Sequence, residues 1–367
     1  MTSSTLLRPD CLRAALPHPG LPRLALPRPS EVRGVGRIGT ASWEPSRRGL
    51  LAGGGALAAT AGLAACGSGG SAAAGGASGS GAWSFTDDRG KTVRLAKRPR
   101  RIAVLTDTVG AALWAAGLRP VAATDSGQGI VTAVGLTWDG VAKIYSADQG
   151  VELEALAQAR PDLLIDALQP DGTLQVSSRL AAIGKIAPVV GLSMYRPIEE
   201  IARTADRLTR SIGTDLTDTA AKAGYERASG ALKKAVAANP DLRVGFVFDI
   251  DKNTVGVMNA KTWGVLRTVD ALGMRLVQVP GGSAHTYSQA VSWENVPSIP
   301  ADLLVWAVAS PLPTNPLWKR TPAVRAGQVW QPKLASWYAY SWANFSVLLD
   351  GLATHVHAAR PGVGPRA

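Results

Sequence analysis

Cys66 is the residue of this chain with the clearest chemistry. A thiolate is a strong side-chain nucleophile near neutral pH, and Cys66 ends a Leu-Ala-Ala-Cys sequence that begins at Leu63. An apolar stretch, Leu50 to Ala65, leads up to it, and Arg47-Arg48 stands just before that stretch. At sixteen residues the stretch is shorter than the roughly 20 that cross a bilayer as a helix. The stretch is therefore not predicted to cross a membrane, and the Cys66 thiol is a candidate for covalent modification.

The N-terminal segment resembles two known signals. Ser46 to Leu51 resembles a twin-arginine export signal, and Leu63 to Cys66 resembles a bacterial lipobox. The resemblance implies that residues 1–65 are an extension and a signal removed before Cys66, whose acyl chains then hold the protein on the extracytoplasmic face of the bilayer. Residues 67–82 are Gly, Ser and Ala only, so 66–82 is predicted to be a flexible tether.

The charge of the chain is unevenly placed. It has 39 Lys and Arg against 27 Asp and Glu, a net charge of +12, but eight of the Arg and three of the acids lie in residues 1–65. The remaining positive excess is mild and dispersed, with no basic run carrying interleaved aromatics, which argues against nucleic acid as a partner. Because Cys11 lies in the signal segment and Cys66 is expected to be acylated, we predict that no thiol remains for a disulfide, for thiolate catalysis or for metal binding.

Motifs that would indicate an enzyme are incomplete. Gly90 begins a Gly-Lys-Thr sequence like the end of a phosphate loop, but Phe85 stands where that loop needs its first glycine. Gly127 and Gly129 begin a dinucleotide fingerprint whose third glycine is replaced by Thr132. The sequence also has no serine elbow and no zinc-helix motif. We therefore predict a protein that is not an enzyme.

The histidines are too few for a metal site built from side chains. After the signal the chain has only His285, His355 and His357. Sites for bare zinc or manganese use several His and carboxylates, and His355 and His357 are predicted on the last, solvent-facing helix. We predict no protein-ligated metal, so that any metal arrives already chelated.

From Trp83 onward, short apolar runs alternate with helical patterns. This alternation predicts an α/β fold with mainly parallel sheets built from βα units. The predicted strands are Ile102–Leu105, Val121–Ala123, Leu163–Ala167, Val189–Leu192, Val244–Phe248, Leu276–Val279, Leu303–Val308 and Gln328–Trp330.

A long helix is predicted in the middle of the chain. Asp215 to Ala238 lacks Pro, carries apolar residues at near-helical spacing and stops at Asn239-Pro240. A helix of that length spans roughly 36 Å, enough to join two lobes. Gly224 and Gly230 weaken it, so packing has to stabilise it.

The chain on either side of this helix repeats itself. Ala115 to Arg119 resembles Ala271 to Arg275, each a helix end at a glycine followed by a strand. Glu154 precedes Asp162 by eight residues and Glu294 precedes Asp302 by eight. We therefore predict two similar α/β lobes, residues 83–213 and 240–358, joined by a helix over 214–239, with a tail over 359–367.

The arrangement resembles a known family, the helix-linked (class III) substrate-binding proteins of ABC importers for ferric siderophores, haem and cobalamin. The resemblance covers about Trp83 to His357. It is carried by collinear segments: Phe85–Lys91, Arg98–Ile102, Leu153–Ile165, Ile186–Pro188 and Pro311–Gly327. It implies a monomer that binds a ferric siderophore, carries Fe(III) only within that ligand, holds no permanent cofactor and delivers the ligand to a permease dimer with its ATPase. It also implies that Glu154 and Glu294, which the repeat pairs independently, dock on permease arginines.

The predicted ligand cleft is aromatic. In open α/β lobes ligands bind beyond the carboxyl ends of parallel strands. A ferric siderophore needs flat surfaces and a few hydrogen-bond donors, with Arg196 as the first choice of donor. The predicted ligand-binding residues in these loops are Trp138, Tyr145, Tyr195, Arg196, Trp263, Tyr287, Trp337 and Tyr338.

Two other functions remain open at this point. One is a haem or cobalamin binder of the same fold, with Tyr287 or His285 as an axial ligand to haem iron. The other is a surface lipoprotein that senses a ligand without feeding a transporter. In either case a single stiff helix between the lobes predicts little lobe closure on binding.

Overall fold

The computed structural model describes residues 81–127, 129–146, 150–214, 219–278, 287–308 and 310–366. The predictions for Arg47, Arg48, Cys66 and His285 lie outside the described residues. Within these ranges, no helix is long and apolar enough to cross a membrane.

The first lobe begins with a hairpin and continues as alternating strands and helices. Its elements are β1 (Trp83–Thr86), β2 (Thr92–Leu95), β3 (Ile102–Val104), α1 (Asp107–Ala115), β4 (Ala122–Ala123), α2 (Ile130–Ala133), β5 (Ala142–Lys143), β6 (Tyr145–Ser146), β7 (Gly150–Val151), α3 (Leu153–Gln158), β8 (Leu163–Leu168), α4 (Leu180–Ile183), β9 (Val189–Ser193) and α5 (Ile198–Ser211), with a 3-10 turn at Ser177–Arg179. Five strands form a parallel sheet in the order β5-β4-β3-β8-β9.

The second lobe follows the connecting helix α6 (Thr219–Ala238). Its elements are β10 (Arg243–Asp249), β11 (Thr254–Met258), α7 (Gly264–Ala271), β12 (Arg275–Leu276), β13 (Ser288–Ser292), a 3-10 helix (Trp293–Ser298), β14 (Leu303–Trp306), α8 (Pro316–Arg320), α9 (Pro322–Arg325), β15 (Val329–Trp330), α10 (Leu334–Tyr338) and α11 (Trp342–Ala358). The sheet order is β13-β11-β10-β14-β15, with β12 also paired to β10.

The predicted fold class, two α/β lobes joined by one long helix, is confirmed. Each of the eight predicted strands overlaps an observed one. The predicted strand Leu276–Val279 shares only Leu276 with β12, and its last residue, Val279, lies outside the described residues. The second sheet adds antiparallel pairings that the sequence reading missed, between β10 and β11 and between β11 and β13. Its remaining pairs, β10 with β12 and β14, and β14 with β15, are parallel.

The internal repeat is visible in the hydrogen bonds. The Asp162 carboxylate accepts the backbone N–H of Arg101 (2.9 Å), and the Asp302 carboxylate accepts that of Arg243 (2.9 Å). Each arginine stands at the start of the first parallel strand of its lobe, and each aspartate immediately precedes the strand that pairs with it. Equivalent positions of the two lobes are therefore tied in the same way.

One cluster of buried apolar side chains runs through both lobes. It includes Val104 and Ile198 of the first lobe, Leu232 of α6, and Phe246 and Leu348 of the second. Helix α6 lies along α11, where the rings of Tyr225 and Trp342 meet edge to face at 5.1 Å. Packing on α11 therefore stabilises the glycine-containing helix, as the sequence requires.

Candidate functional site

A cavity of about 330 Å³ opens at the carboxyl ends of β3, β4 and β8. Such a position, beyond the ends of parallel strands, is where ligands bind in α/β lobes. Of the residues that the structure describes, the second lobe contributes one to the wall, Tyr338. The others are Leu105, Thr106, Asp107, Thr108, Thr124, Ser126, Ile130, Tyr145, Gly150, Val151, Gln175, Val176, Ser178 and Arg179.

Asp107 supplies the negative charge of the wall. It is the first residue of α1, where the helix dipole stabilises an anion, and it is only 7% exposed. Its carboxylate accepts hydrogen bonds from the Ser126 backbone N–H (2.9 Å) and from the Ser126 hydroxyl (2.5 Å). The loop after β4 is thereby fastened to the start of α1 at the rim of the cavity.

Asp166 lies behind the wall, fully buried in β8. It accepts hydrogen bonds from the Thr106 hydroxyl (2.5 Å) and the Val176 backbone N–H (3.0 Å), and both of those residues line the cavity. Burial raises the pKa of the Asp166 carboxyl to about 6, despite these hydrogen bonds and the charge of Arg89. A buried carboxyl with a raised pKa therefore accepts hydrogen bonds from two wall residues.

Arg179 and two tyrosines provide the larger polar groups of the wall. The Arg179 guanidinium donates to the Val151 carbonyl at 2.6 Å, which orients it beside the cavity. Burial raises the pKa of Tyr145, with the charge of Asp107 adding to it, and burial also raises the pKa of Tyr338. Both phenols are therefore neutral at physiological pH and present flat, hydrogen-bonding surfaces.

Three predicted aromatics form a separate cluster where the lobes meet. The ring centroids of Tyr195, Trp263 and Tyr287 lie 5.7 to 5.8 Å from one another. The Trp263 indole N–H donates to the Tyr287 carbonyl at 2.7 Å. The cluster joins Tyr195 of the first lobe to two residues of the second.

A chain of side-chain hydrogen bonds links this cluster to the cavity. The Tyr287 hydroxyl donates to Gln169, and the Gln169 amide donates to Gln175. Gln175 lines the cavity, and Tyr287 belongs to the second lobe. The chain therefore connects a wall residue with the lobe interface.

The remaining predicted ligand residues lie elsewhere. The Arg196 guanidinium lies 3.5 Å from an Asp88 carboxylate oxygen and donates to the Asp88 carbonyl at 3.1 Å. The Trp138 ring lies 4.5 Å from the Lys143 ammonium and is not part of the cavity wall. Trp337 is 2% exposed and stacks on Phe246 in the core.

The structure thus brings Tyr145 and Tyr338 to one cavity and assembles Tyr195, Trp263 and Tyr287 beside it. Sequence reasoning missed Asp107, Gln175 and Arg179 as wall residues. All three lie in segments that follow β3 or β8, and this position after a parallel strand could have predicted them as wall residues.

The two predicted docking glutamates are both exposed. Glu154 lies in the first turn of α3, where Gln158 donates to it at 3.3 Å. Glu294 lies in the first turn of the 3-10 helix, and hydrogen bonds from its own backbone N–H and from Ser292 lower its pKa. Within the described ranges, no group of three or more His, Cys, Asp and Glu side chains is placed to hold a metal ion.

Comparisons with known proteins give one family match and several structures of the same fold. A model of the family described as periplasmic binding protein matches residues 110–332. The ferric-siderophore receptor DesE from Streptomyces coelicolor is 28% identical, with a TM-score of 0.63 over 76% of this chain and 99% of that one. No curated protein matches the chain.

Two further structures share the fold at lower identity. The siderophore periplasmic binding protein from the fuscachelin gene cluster of Thermobifida fusca is 22% identical, with a TM-score of 0.55 over 71% of this chain and 97% of that one. FhuD2 from Staphylococcus aureus, solved with bound ferrioxamine B, is 19% identical, with a TM-score of 0.52 over 70% of this chain and all of that one (100%).

Proposed function

Because this chain belongs to the periplasmic binding protein family, we propose that it captures a ferric siderophore outside the cytoplasm and delivers it to an ABC permease. The observation that carries the proposal is the cavity at the strand ends, whose wall joins Tyr145 and Arg179 of the first lobe to Tyr338 of the second. Phenol rings offer flat surfaces to a bulky chelate, and a guanidinium offers donors to its oxygens. The ferric-siderophore receptor at 28% identity supports the same ligand class.

The two arginines near the lobe interface give a matched test. Arg179 lines the cavity, whereas Arg196 is held by Asp88 outside it. We expect ferric siderophores to quench the tryptophan fluorescence of the mature protein, and Arg179→Gln to weaken the Kd by about tenfold or more. Arg196→Gln should leave the Kd unchanged.

Two results would count against this proposal. If no ferric siderophore binds to the folded protein, the function is wrong. If Arg196→Gln weakens binding and Arg179→Gln does not, the ligand lies on the Arg196 side of the interface and the cavity is not its site.

Haem is the second candidate, because tyrosine can ligate ferric haem iron and two phenols line the cavity. Tyr287, one of the two axial ligands considered from sequence, donates its hydroxyl to Gln169 and is not a wall residue. Haem added to the protein should leave its Soret band unshifted. A shifted band that is lost in Tyr145→Phe or Tyr338→Phe would establish haem as the ligand.

We also propose that acyl chains on Cys66 anchor the protein on the outer face of the cell membrane, after export by the twin-arginine route. The support is the sequence of the signal segment. Cys66→Ala should be exported but recovered in the soluble fraction, because it cannot be acylated. Retention of this variant in washed membranes would show that another part of the chain holds it there.

A further inference from the structure

The wall of the cavity carries balanced charge. Of its fifteen residues only Asp107 is anionic and only Arg179 is cationic. The phenols of Tyr145 and Tyr338 add none, because burial raises the pKa of both. The described residues of the wall therefore carry no excess of positive charge.

The charged residues named next, just outside the wall, also provide no excess of positive charge. Lys143, next to the wall segment, lies 3.6 Å from the Asp125 carboxylate, and Arg89 is paired with Asp87 at 2.6 Å. The carboxyl of Asp166 lies directly behind Thr106. The two ion pairs each carry no net charge, and Asp166 adds no positive charge.

Thr124 is a second observation that points to a ligand with neutral polar groups. It lines the cavity at 3% exposure, and its buried hydroxyl has no hydrogen-bond partner among the described residues. A buried hydroxyl without a partner costs free energy, which a ligand oxygen or amide would recover.

Ferric siderophores differ in net charge according to their chelating groups. Three hydroxamates each lose one proton, so their ferric complex is neutral, or singly positive when the ligand also carries an ammonium group. Three catecholates each lose two protons, so their ferric complex is triply negative. Moving such an anion into a cavity without excess positive charge costs its hydration without an electrostatic return.

We infer that the cavity selects a ferric trihydroxamate, neutral or singly positive, and rejects a ferric tris-catecholate. The inference rests on the function proposed above, since it assumes that the cavity holds a ferric siderophore. Asp107 is the specificity-determining residue in this scheme, because its buried carboxylate repels the anionic chelate and tolerates the neutral one.

The test compares one ferric trihydroxamate with one ferric tris-catecholate by fluorescence titration under the same conditions. We expect the trihydroxamate to bind at least about 100-fold more tightly. Asp107→Asn should reduce the ratio of the two Kd values by about tenfold, because it removes one negative charge near the ligand. Asp350→Asn removes the same charge from the exposed face of α11 and should leave the ratio unchanged.

If Asp107→Asn does not fold, Arg179→Gln serves instead and should widen the ratio, since it removes the positive charge of the wall. Tight tris-catecholate binding by the wild-type protein would overturn the inference and leave the proposed function standing. Failure of both complexes to bind to the folded protein would overturn the function itself. An equal change of the ratio in Asp107→Asn and Asp350→Asn would show that Asp107 does not set the specificity.

Discussion

Asp166 shows how a single buried carboxyl ties the stability of the first lobe to pH. Two of its hydrogen-bond donors belong to residues that line the cavity, Thr106 and Val176. Burial nevertheless dominates and raises its pKa from 3.8 to about 6. Between these two values the folded protein binds more protons than the unfolded chain, so the contribution of Asp166 to stability is present at low pH and is lost as the pH rises through 6.

We predict that Asp166→Asn removes this pH dependence. An amide can accept from Val176 and donate to the Thr106 oxygen, so both contacts survive without a buried charge. Relative to wild type, the free energy of unfolding of the variant should rise by up to about 3 kcal/mol as the pH goes from acidic to neutral. Urea unfolding of both proteins at several pH values measures this, and parallel stability profiles would contradict the shifted pKa.

The sequence located the wall tyrosines but not the arginine beside them. Tyr145 and Tyr338 were predicted because they are aromatic and lie beyond strand ends. Arg196 also lies beyond a strand, but Asp88, which is 108 residues away in sequence, holds its side chain. Such a long-range ion pair leaves no local pattern in the sequence. Arg179 also follows a strand, but it has no aromatic neighbour in the sequence, and the aromatic residues were the pattern that predicted the cleft.

At the scale of elements, parallel strands were predictable and the antiparallel addition to the second sheet was not. Buried parallel strands have nearly continuous apolar sequences. Strand β14 is apolar throughout, and β8 is apolar except for Asp166. Strand β13 is only half buried and mixes Ser and Gln with apolar residues, so its periodicity is weak. The turn before β11 did carry a signal, because Asp251 accepts from the Asn253 backbone N–H and the Thr254 hydroxyl.

The first residue of α7 decides how closely the lobes approach each other. A Cβ placed on Gly264 would lie 2.1 Å from the Arg196 carbonyl oxygen, a backbone atom of the first lobe. Two hydrogen bonds join the same helix to the first lobe. The Arg267 guanidinium donates to the Tyr195 carbonyl at 2.9 Å, and the Thr268 hydroxyl accepts the Ile198 backbone N–H, also at 2.9 Å. The absence of a side chain at Gly264 is therefore what permits these contacts.

We predict that Gly264→Ala destabilises the protein by about 1 to 3 kcal/mol, because a backbone carbonyl cannot move aside without shifting the lobe to which it belongs. Gly230→Ala is the control. Gly230 is exposed on α6 with open space around it, and alanine there should stabilise by about 0.5 to 1 kcal/mol. Denaturant midpoints give both values, and an unchanged midpoint for Gly264→Ala would mean that the lobes do not meet at this distance.

At the scale of the whole molecule, the two lobes have similar α/β structures and share one apolar core. The carboxylates of Asp162 and Asp302 receive the same backbone hydrogen bond at the start of the first parallel strand of each lobe. The apolar cluster that continues from Val104 through Leu232 to Leu348 resists separation of the lobes. This arrangement favours a small adjustment on ligand binding over a wide hinge motion, and X-ray scattering with and without ligand should give nearly coincident profiles.

The repeated plan also places Glu154 and Glu294 at matched positions, each exposed in the first turn of a helix that leads to the paired strand. We propose that they dock on basic residues of the two permease subunits. Glu154→Arg/Glu294→Arg should abolish uptake, because it replaces two attractions by two repulsions, and should leave the siderophore Kd unchanged, because neither residue lines the cavity. Each single reversal should cause a partial loss of uptake.

The control for this charge reversal is Glu226→Arg/Asp350→Arg, which makes the same change of net charge on the exposed faces of α6 and α11. Uptake by this control should match wild type if position matters and total charge does not. Uptake assays in cells and fluorescence titrations of the purified variants together separate docking from ligand binding. Normal uptake by the Glu154/Glu294 double variant would exclude the docking role, and so would lost ligand binding in a folded variant, because the defect would then lie in the cavity.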